Sequence, residues 1–367
     1  MSVYYPVKKY ENFGIGFGFS YSALNNLFGF DFGENFHKDI QNRIKTVMDI
    51  DRVVFESFGK IGAGFENPFS RASIEPFGHR FMPAMYGSEC FYRNDGDPWA
   101  ALIKFEPDFI NSLEDWTIER FEKSAPVKEI KRQYNFICKN IEIDKILKNF
   151  EFNPHYRPLS SIQNAGSVIN TAFSLFGDEI LCLYIENPEL LRKFYRNITE
   201  LMLISFEYFG KLDKRPLKNV FIGNCTVAMI SPVHYMDCNF AFDTEILRFA
   251  EKIKAEFTLH QDSDVNKHLK NYAQLGKIHH LDFGQDTDFE KAAGLFPGIS
   301  ANCIIFPSWL SANSNEVINE EIERIMIAGK AFKSFSFTLY EIDSYLAGGK
   351  IFEFYDIFRK CADKIKI

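Results

Sequence analysis

Ala255-Glu-Phe-Thr-Leu-His260-Gln-Asp262-Ser-Asp264 is the stretch on which the fold turns. Its apolar run, Phe257-Thr-Leu-His260, has the length of a buried strand, and the residues after it, Val265 to Leu275, carry apolar side chains at helical spacing. A histidine at such a strand-to-helix junction stands where an α/β barrel gathers its reactive groups. The alternation extends outward from there. Strand-like runs fall at Asn219-Val-Phe-Ile-Gly, Ala255-Glu-Phe-Thr-Leu, Ile278-His-His-Leu-Asp-Phe, Ala301-Asn-Cys-Ile-Ile-Phe and Phe332-Lys-Ser-Phe-Ser-Phe-Thr-Leu-Tyr. Helical patterns lie between the last four, at Val265 to Leu275, Asp288 to Leu295 and Asn315 to Ala328. Parallel βαβ units need this repeat of strand, helix and strand, so the sequence predicts an α/β fold, a (β/α)8 TIM barrel.

The first half is less regular. Helical patterns run from Phe36 to Phe58, closing near Gly59, and from Pro188 to Leu212, where Asn187-Pro188 is a good helix start. The Gly- and Phe-rich segment Gly14 to Gly33 reads as an irregular packed loop, with a flap over a pocket as the alternative. Its Gly-Ile-Gly-Phe-Gly lacks the flanking strand and helix of a nucleotide loop. We therefore expect one domain over residues 1–367, with about the first hundred residues supplying helices and loops packed over one end of the barrel.

Composition excludes several classes. A net charge of −7 offers no basic field for nucleic acid or anionic lipid, and the lysines from Lys128 to Lys148 are interspersed with Glu and Asp. No run of about 18 apolar residues occurs, and the N-terminus lacks an apolar leader, so the expectation is a soluble, cytoplasmic protein. The seven cysteines, at 90, 138, 182, 225, 238, 303 and 361, form no CxxC pair, which argues for reduced thiols over a disulfide framework or a thiolate zinc knuckle. The 40 phenylalanines are spread along the whole chain, which suits core filling better than a stacking surface.

Three stretches carry a family likeness: SVINTAFSLFGDEILCLYIENPELLRKFYRNITELM from Ser167, GNCTVAMISPVHYMDC from Gly223, and the segment from Ala255 to Gly298 that contains LDFGQDTDFEKAAGLFPG. Together they resemble the uroporphyrinogen decarboxylase superfamily and its corrinoid-linked methyltransferase branch, most clearly from Ser161 onward. The resemblance implies a single barrel that moves a methyl group between a small-molecule substrate and a cobamide on a partner corrinoid protein. True decarboxylases carry an Arg-Gln-Ala-Gly-Arg signature for substrate carboxylates. Here Arg71 and Arg80, in SRASIEPFGHRFMPAMYG, do not reproduce its spacing. The zinc methyltransferases bind metal through His-x-Cys and a second Cys ending the last strand. This chain has Asp262 at the first Cys position and Tyr340 at the second, so tightly held zinc is not expected.

The residues nominated for catalysis are His260, Asp262, Tyr340 and Asp286, with His260 orienting or deprotonating the substrate. His260, Asp262 and His268 are the weak metal candidates; the alternative has Asp262 or Ser263 capping a helix, Asp264 complementing its dipole and His268 on the surface. Asp282 and Gln285 also close or follow a strand, His279 and His280 must point to opposite faces of theirs, and Cys225 reads best as a buried thiol. Two other functions stay open: a lyase acting on a carboxylated small molecule, and a non-catalytic binding protein on the same barrel.

Overall fold

The computed structural model describes residues 2–10, 13–68, 73–140, 159, 164–213, 216–346 and 348–365. Arg71 lies outside them. The strands are β1 (Ser2–Tyr10), β2 (Phe13–Ser20), β3 (Cys90–Phe91), β4 (Trp99–Ala100), β5 (Asn164–Gly166), β6 (Asn219–Gly223), β7 (Glu256–His260), β8 (His280–Gly284), β9 (Ser300–Ile305) and β10 (Ser334–Ile342). All five apolar runs of the C-terminal half are thus strands, and they lie side by side in chain order, each parallel to the next.

Eight strands form one sheet in the order β1-β2-β10-β9-β8-β7-β6-β5; β3 and β4 pair separately. β2 joins the far side of β10 in parallel, and among the described strands of this sheet β1 alone runs antiparallel to its neighbour. The sheet curls. The rings of His260 on β7 and Tyr340 on β10 are centred 6.2 Å apart, whereas three strand spacings in a flat sheet span about 14 Å. The expected TIM barrel is therefore present as an open, curled sheet with β1 at one margin and β5 at the other; among the described residues no pairing closes it.

Alternation along the strands decides which side chains enter the curl. Phe257, Leu259, Leu281, Phe283, Phe335 and Phe337 are buried on the outer face, beneath the helices. Their neighbours on the inner face are His260, His280, Asp282, Asn302, Ser336 and Thr338, a polar set unusual for a barrel interior. Phenylalanines fill the outer layer, as the pair Phe335–Phe337 illustrates with ring centres 5.3 Å apart.

Several expectations need correction. The segment from Gly14 to Gly33 is neither flap nor irregular loop: it contains β2 and the helix Tyr21–Phe28. Phe13, Ile15, Phe17 and Phe19 face the core while the intervening glycines face the curl, a period-two pattern hidden by glycine's low strand propensity. Gly16 is needed there, because a Cβ would stand 2.7 Å from the Tyr4 hydroxyl. β1 and β2 consequently belong to the sheet itself and do not cover its end.

The helix Pro188–Leu212 has the expected limits, with Asn187 Oδ1 accepting the Leu190 N–H. The helical run from Phe36 is interrupted at Asp39, which caps the helix Ile40–Phe58 by accepting the N–H groups of Gln41 and Asn42. After β7 the helix is only Leu269–Tyr272. Asn266 is committed elsewhere: its side chain donates to the Asp286 carbonyl and accepts from the Asp288 N–H, tying the loop after β7 to the loop after β8. No single helix among the described residues is long and apolar enough to cross a membrane.

Candidate functional site

Register brings Ser336, Asn302, Asp282, His260 and Gly223 into one row across β10, β9, β8, β7 and β6. The side chains of Ser336, Asn302, Asp282 and His260 enter the same side of the curl, and a chain of hydrogen bonds joins them. His260 Nδ1 lies 2.8 Å from Asp282 Oδ2, while Asp282 Oδ1 is 3.0 Å from His280 Nε2 and accepts from Asn302 Nδ2 at 3.1 Å. Asn302 Oδ1 in turn accepts from Ser336 Oγ and Thr338 Oγ1, and Thr338 Oγ1 sits 2.6 Å from the Tyr4 hydroxyl. An ionised carboxylate only accepts, so Asp282 places a proton on His260 Nδ1 and leaves Nε2 to face the opening.

Nε2 meets groups from two other segments. It lies 3.7 Å from Asp262 Oδ2, and Cys225 Sγ completes a cluster in which the ligand atoms of Cys225, His260 and Asp262 are all within 4.8 Å of one another. Backbone lacing brings Cys225 there: the Asn224 N–H donates to the His260 carbonyl, Gln261 Nε2 donates to the Asn224 carbonyl, and Ser263 Oγ donates to the Cys225 carbonyl. Gly284 lets the chain pass after His260, since a Cβ would stand 2.7 Å from the Asp262 carbonyl oxygen.

The electrostatics follow from this packing. Burial disfavours a charged His260, but hydrogen bonds to Asp262, Asp282 and Cys225 outweigh it and raise its pKa well above the usual histidine value. Burial likewise pushes the Asp282 carboxyl up, yet His260 and His280 together hold it far below the ordinary carboxylate range. Asp262 is lowered, burial being outweighed by His260, whereas burial raises Cys225 and Tyr340. His79, which the sequence reading passed over, feels the charge of His260; burial first, then nearby cations, lower its pKa to about 3.

Of the nominated catalytic residues, the structure brings His260, Asp262 and Tyr340 together at the C-terminal ends of the parallel strands. It does not bring Asp286. That residue is exposed in the loop after β8, with its charge acting on Cys303 of the outer face. His268 is neither a surface group nor a neighbour of the cluster: it is fully buried, with Nε2 3.1 Å from the Ile230 carbonyl oxygen and its ring against Tyr235 and Tyr272. Burial lowers its pKa to about 4. Neither Asp262 nor Ser263 caps a helix; Asp264 accepts the Asn266 N–H in a local turn. His279 accepts the Phe257 N–H outside the curl, while His280 joins Asp282 inside it. Arg80 bonds to Ser174 Oγ.

Chemically, this donor set fits a zinc-like ion. Thiolate, imidazole and carboxylate are all accepted ligands, with bonds of about 2.0 to 2.3 Å. The expectation of no tightly held zinc counted only Asp262 and Tyr340 in place of two cysteines. Cys225, delivered by the 3-10 turn after β6, supplies a sulfur that this count omitted.

No protein-family model matches the sequence, and no curated protein matches it. Among solved structures the chain is similar to a methyltransferase from Methanosarcina mazei, with a TM-score of 0.57, 12% identity, and coverage of 94% of this chain and 93% of that one. At this identity the likeness is one of fold.

Proposed function

We propose that this chain is an enzyme that transfers a methyl group between a small substrate and a cobamide carried by a partner protein. The observation that carries the reading is the convergence of His260, Asp262, Asp282 and Tyr340 at the C-terminal end of an open barrel, the end at which barrel enzymes do their chemistry. Strongly shifted titratable groups gathered at the strand ends favour catalysis over passive binding. The fold likeness to a methyltransferase supports the class of reaction.

Each residue has a defined task. Asp282 fixes the His260 ring and its tautomer, and His260 orients the methyl-accepting atom and holds or moves its proton at Nε2. Asp262 balances charge across from Nε2, and the Tyr340 phenol offers a hydrogen bond from the opposite side of the opening. Exposed Met229 and Tyr345, in the loops after β6 and β10, leave apolar surface at the same end of the barrel for an incoming cobamide carrier.

The test is spectroscopic. The protein is mixed with methylcobalamin, or with cobalamin in its cob(I)alamin form, and a panel of methyl acceptors or donors, and the corrinoid absorption is followed. The reading predicts conversion with at least one compound, slowed roughly a hundredfold in His260→Ala without loss of fold. No conversion across the panel would remove it.

A further inference from the structure

We infer that Cys225, His260 and Asp262 form a three-ligand divalent metal site, suited to zinc, in which Cys225 takes over the thiolate role from a new place in the chain. The site coincides with the one used in the proposed function; with an ion bound, His260 Nε2 would be a ligand and the ion, in place of a proton at Nε2, would orient the methyl-accepting atom, so the inference stands on metal binding alone and does not require methyl transfer.

Two independent observations carry it. The first is the donor set: one sulfur, one imidazole nitrogen and one carboxylate oxygen, all within 4.8 Å of one another. Ligands on bonds of about 2.0 to 2.3 Å in a tetrahedral site stand roughly 3.3 to 3.8 Å apart, so closure onto an ion needs shifts of an ångström or so. Asp262 sits on the loop after β7 and Cys225 at the first position of the 3-10 turn Cys225–Met229, so the shift falls at the margins of elements. A thiolate and the Asp262 carboxylate together match the charge of a divalent ion, with a neutral imidazole adding none.

The second observation is the support behind His260. Its other ring nitrogen is 2.8 Å from Asp282, and Asp282 is itself fixed by His280 and Asn302. A ligating histidine almost always donates its second N–H to a carboxylate or carbonyl in this way, which orients the ring and raises its basicity. Aligned register across β7, β8 and β9 builds that support into the sheet. Three protein ligands leave a fourth position, and Tyr340 borders the side from which a substrate would reach it.

Cobalt(II) is the probe. Full-length protein stripped with chelator and titrated with Co(II) should bind one ion per chain and develop a thiolate-to-cobalt charge-transfer band in the near ultraviolet, with visible bands that zinc abolishes. Cys225→Ser should lose the charge-transfer band while keeping the wild-type circular dichroism, and Asp282→Asn should weaken binding by roughly 10- to 100-fold. Folded wild-type protein that develops no such band, or a Cys225→Ser protein whose band is unchanged, would overturn the site. Metal binding without methyl transfer would leave this inference standing and remove only the proposed function.

Discussion

His260 acquires its chemistry from its neighbours, and those neighbours were unequally readable in the sequence. Its position at a strand end was legible from the apolar run before it, and Asp262 and Tyr340 were legible from the family likeness, which sets them at the two cysteine positions. Asp282 was visible only as one of several strand-end carboxylates; its bond to His260 depends on the register of β7 with β8, which no local pattern encodes. Cys225 was read as a buried thiol because its approach to His260 depends on hydrogen bonds between two loops distant in sequence. Asp286 failed for the opposite reason: it follows a strand closely, yet lies past the point where the chain turns outward. At this scale we expect Asp262→Asn to retain the fold, because Asp262 is half-buried and caps no helix, and to weaken Co(II) binding at least tenfold by removing an anionic ligand. Equilibrium titration followed by absorption checks both.

Elements were legible where hydrophobic period and flanking residues agreed, as in the helix Pro188–Leu212, and illegible where one residue type served an unusual purpose. β2 is the clearest case: glycines at alternate positions hide a strand that needs their small size beside Tyr4. Gly284 has a comparable role at the site. A methyl group there would press on the carbonyls of Asp262 and Ser263, so Gly284→Ala should cost about 1 to 3 kcal/mol in urea unfolding and displace the loop that carries Asp262. The N-terminal helices supply a pH-dependent contact. His37, fully buried beside the helix Ile40–Phe58, has Arg43 Nη2 2.9 Å from its Nδ1; burial, then the Arg43 charge, lower its pKa to about 3. The folded value lies below the unfolded value near 6.5, so the stabilisation is complete above that pH and is lost as pH falls toward 3. At pH 5 the loss is about 2 kcal/mol. Urea unfolding at pH 7.5 and 5.0 should show this component in the wild type and not in His37→Gln.

The whole molecule is a barrel that stops short of closing. Strand and helix alternation after Asn219 made the class legible, but not the opening, because the strands at either margin, β1 and β5, come from the less regular first half. β8 and β9 sit inside the sheet with partners on both sides, while β1 and β5 each have one. Hydrogen exchange should accordingly show the strongest protection in β8 and β9 and the weakest in β1 and β5; equal protection throughout would contradict an open sheet. The opening also bears on function, since it leaves the polar row from Ser336 to His260 on the inside of a curl whose C-terminal end is lined by loops. The central claim is that this row, through Asp282 and His260, drives methyl transfer at that end. Its most direct test is the single-turnover rate of corrinoid spectral change for wild type, His260→Ala and Asp282→Asn, with circular dichroism confirming their folding. The account predicts that both variants fall by roughly a hundredfold. Variants that turn over at the wild-type rate would contradict it.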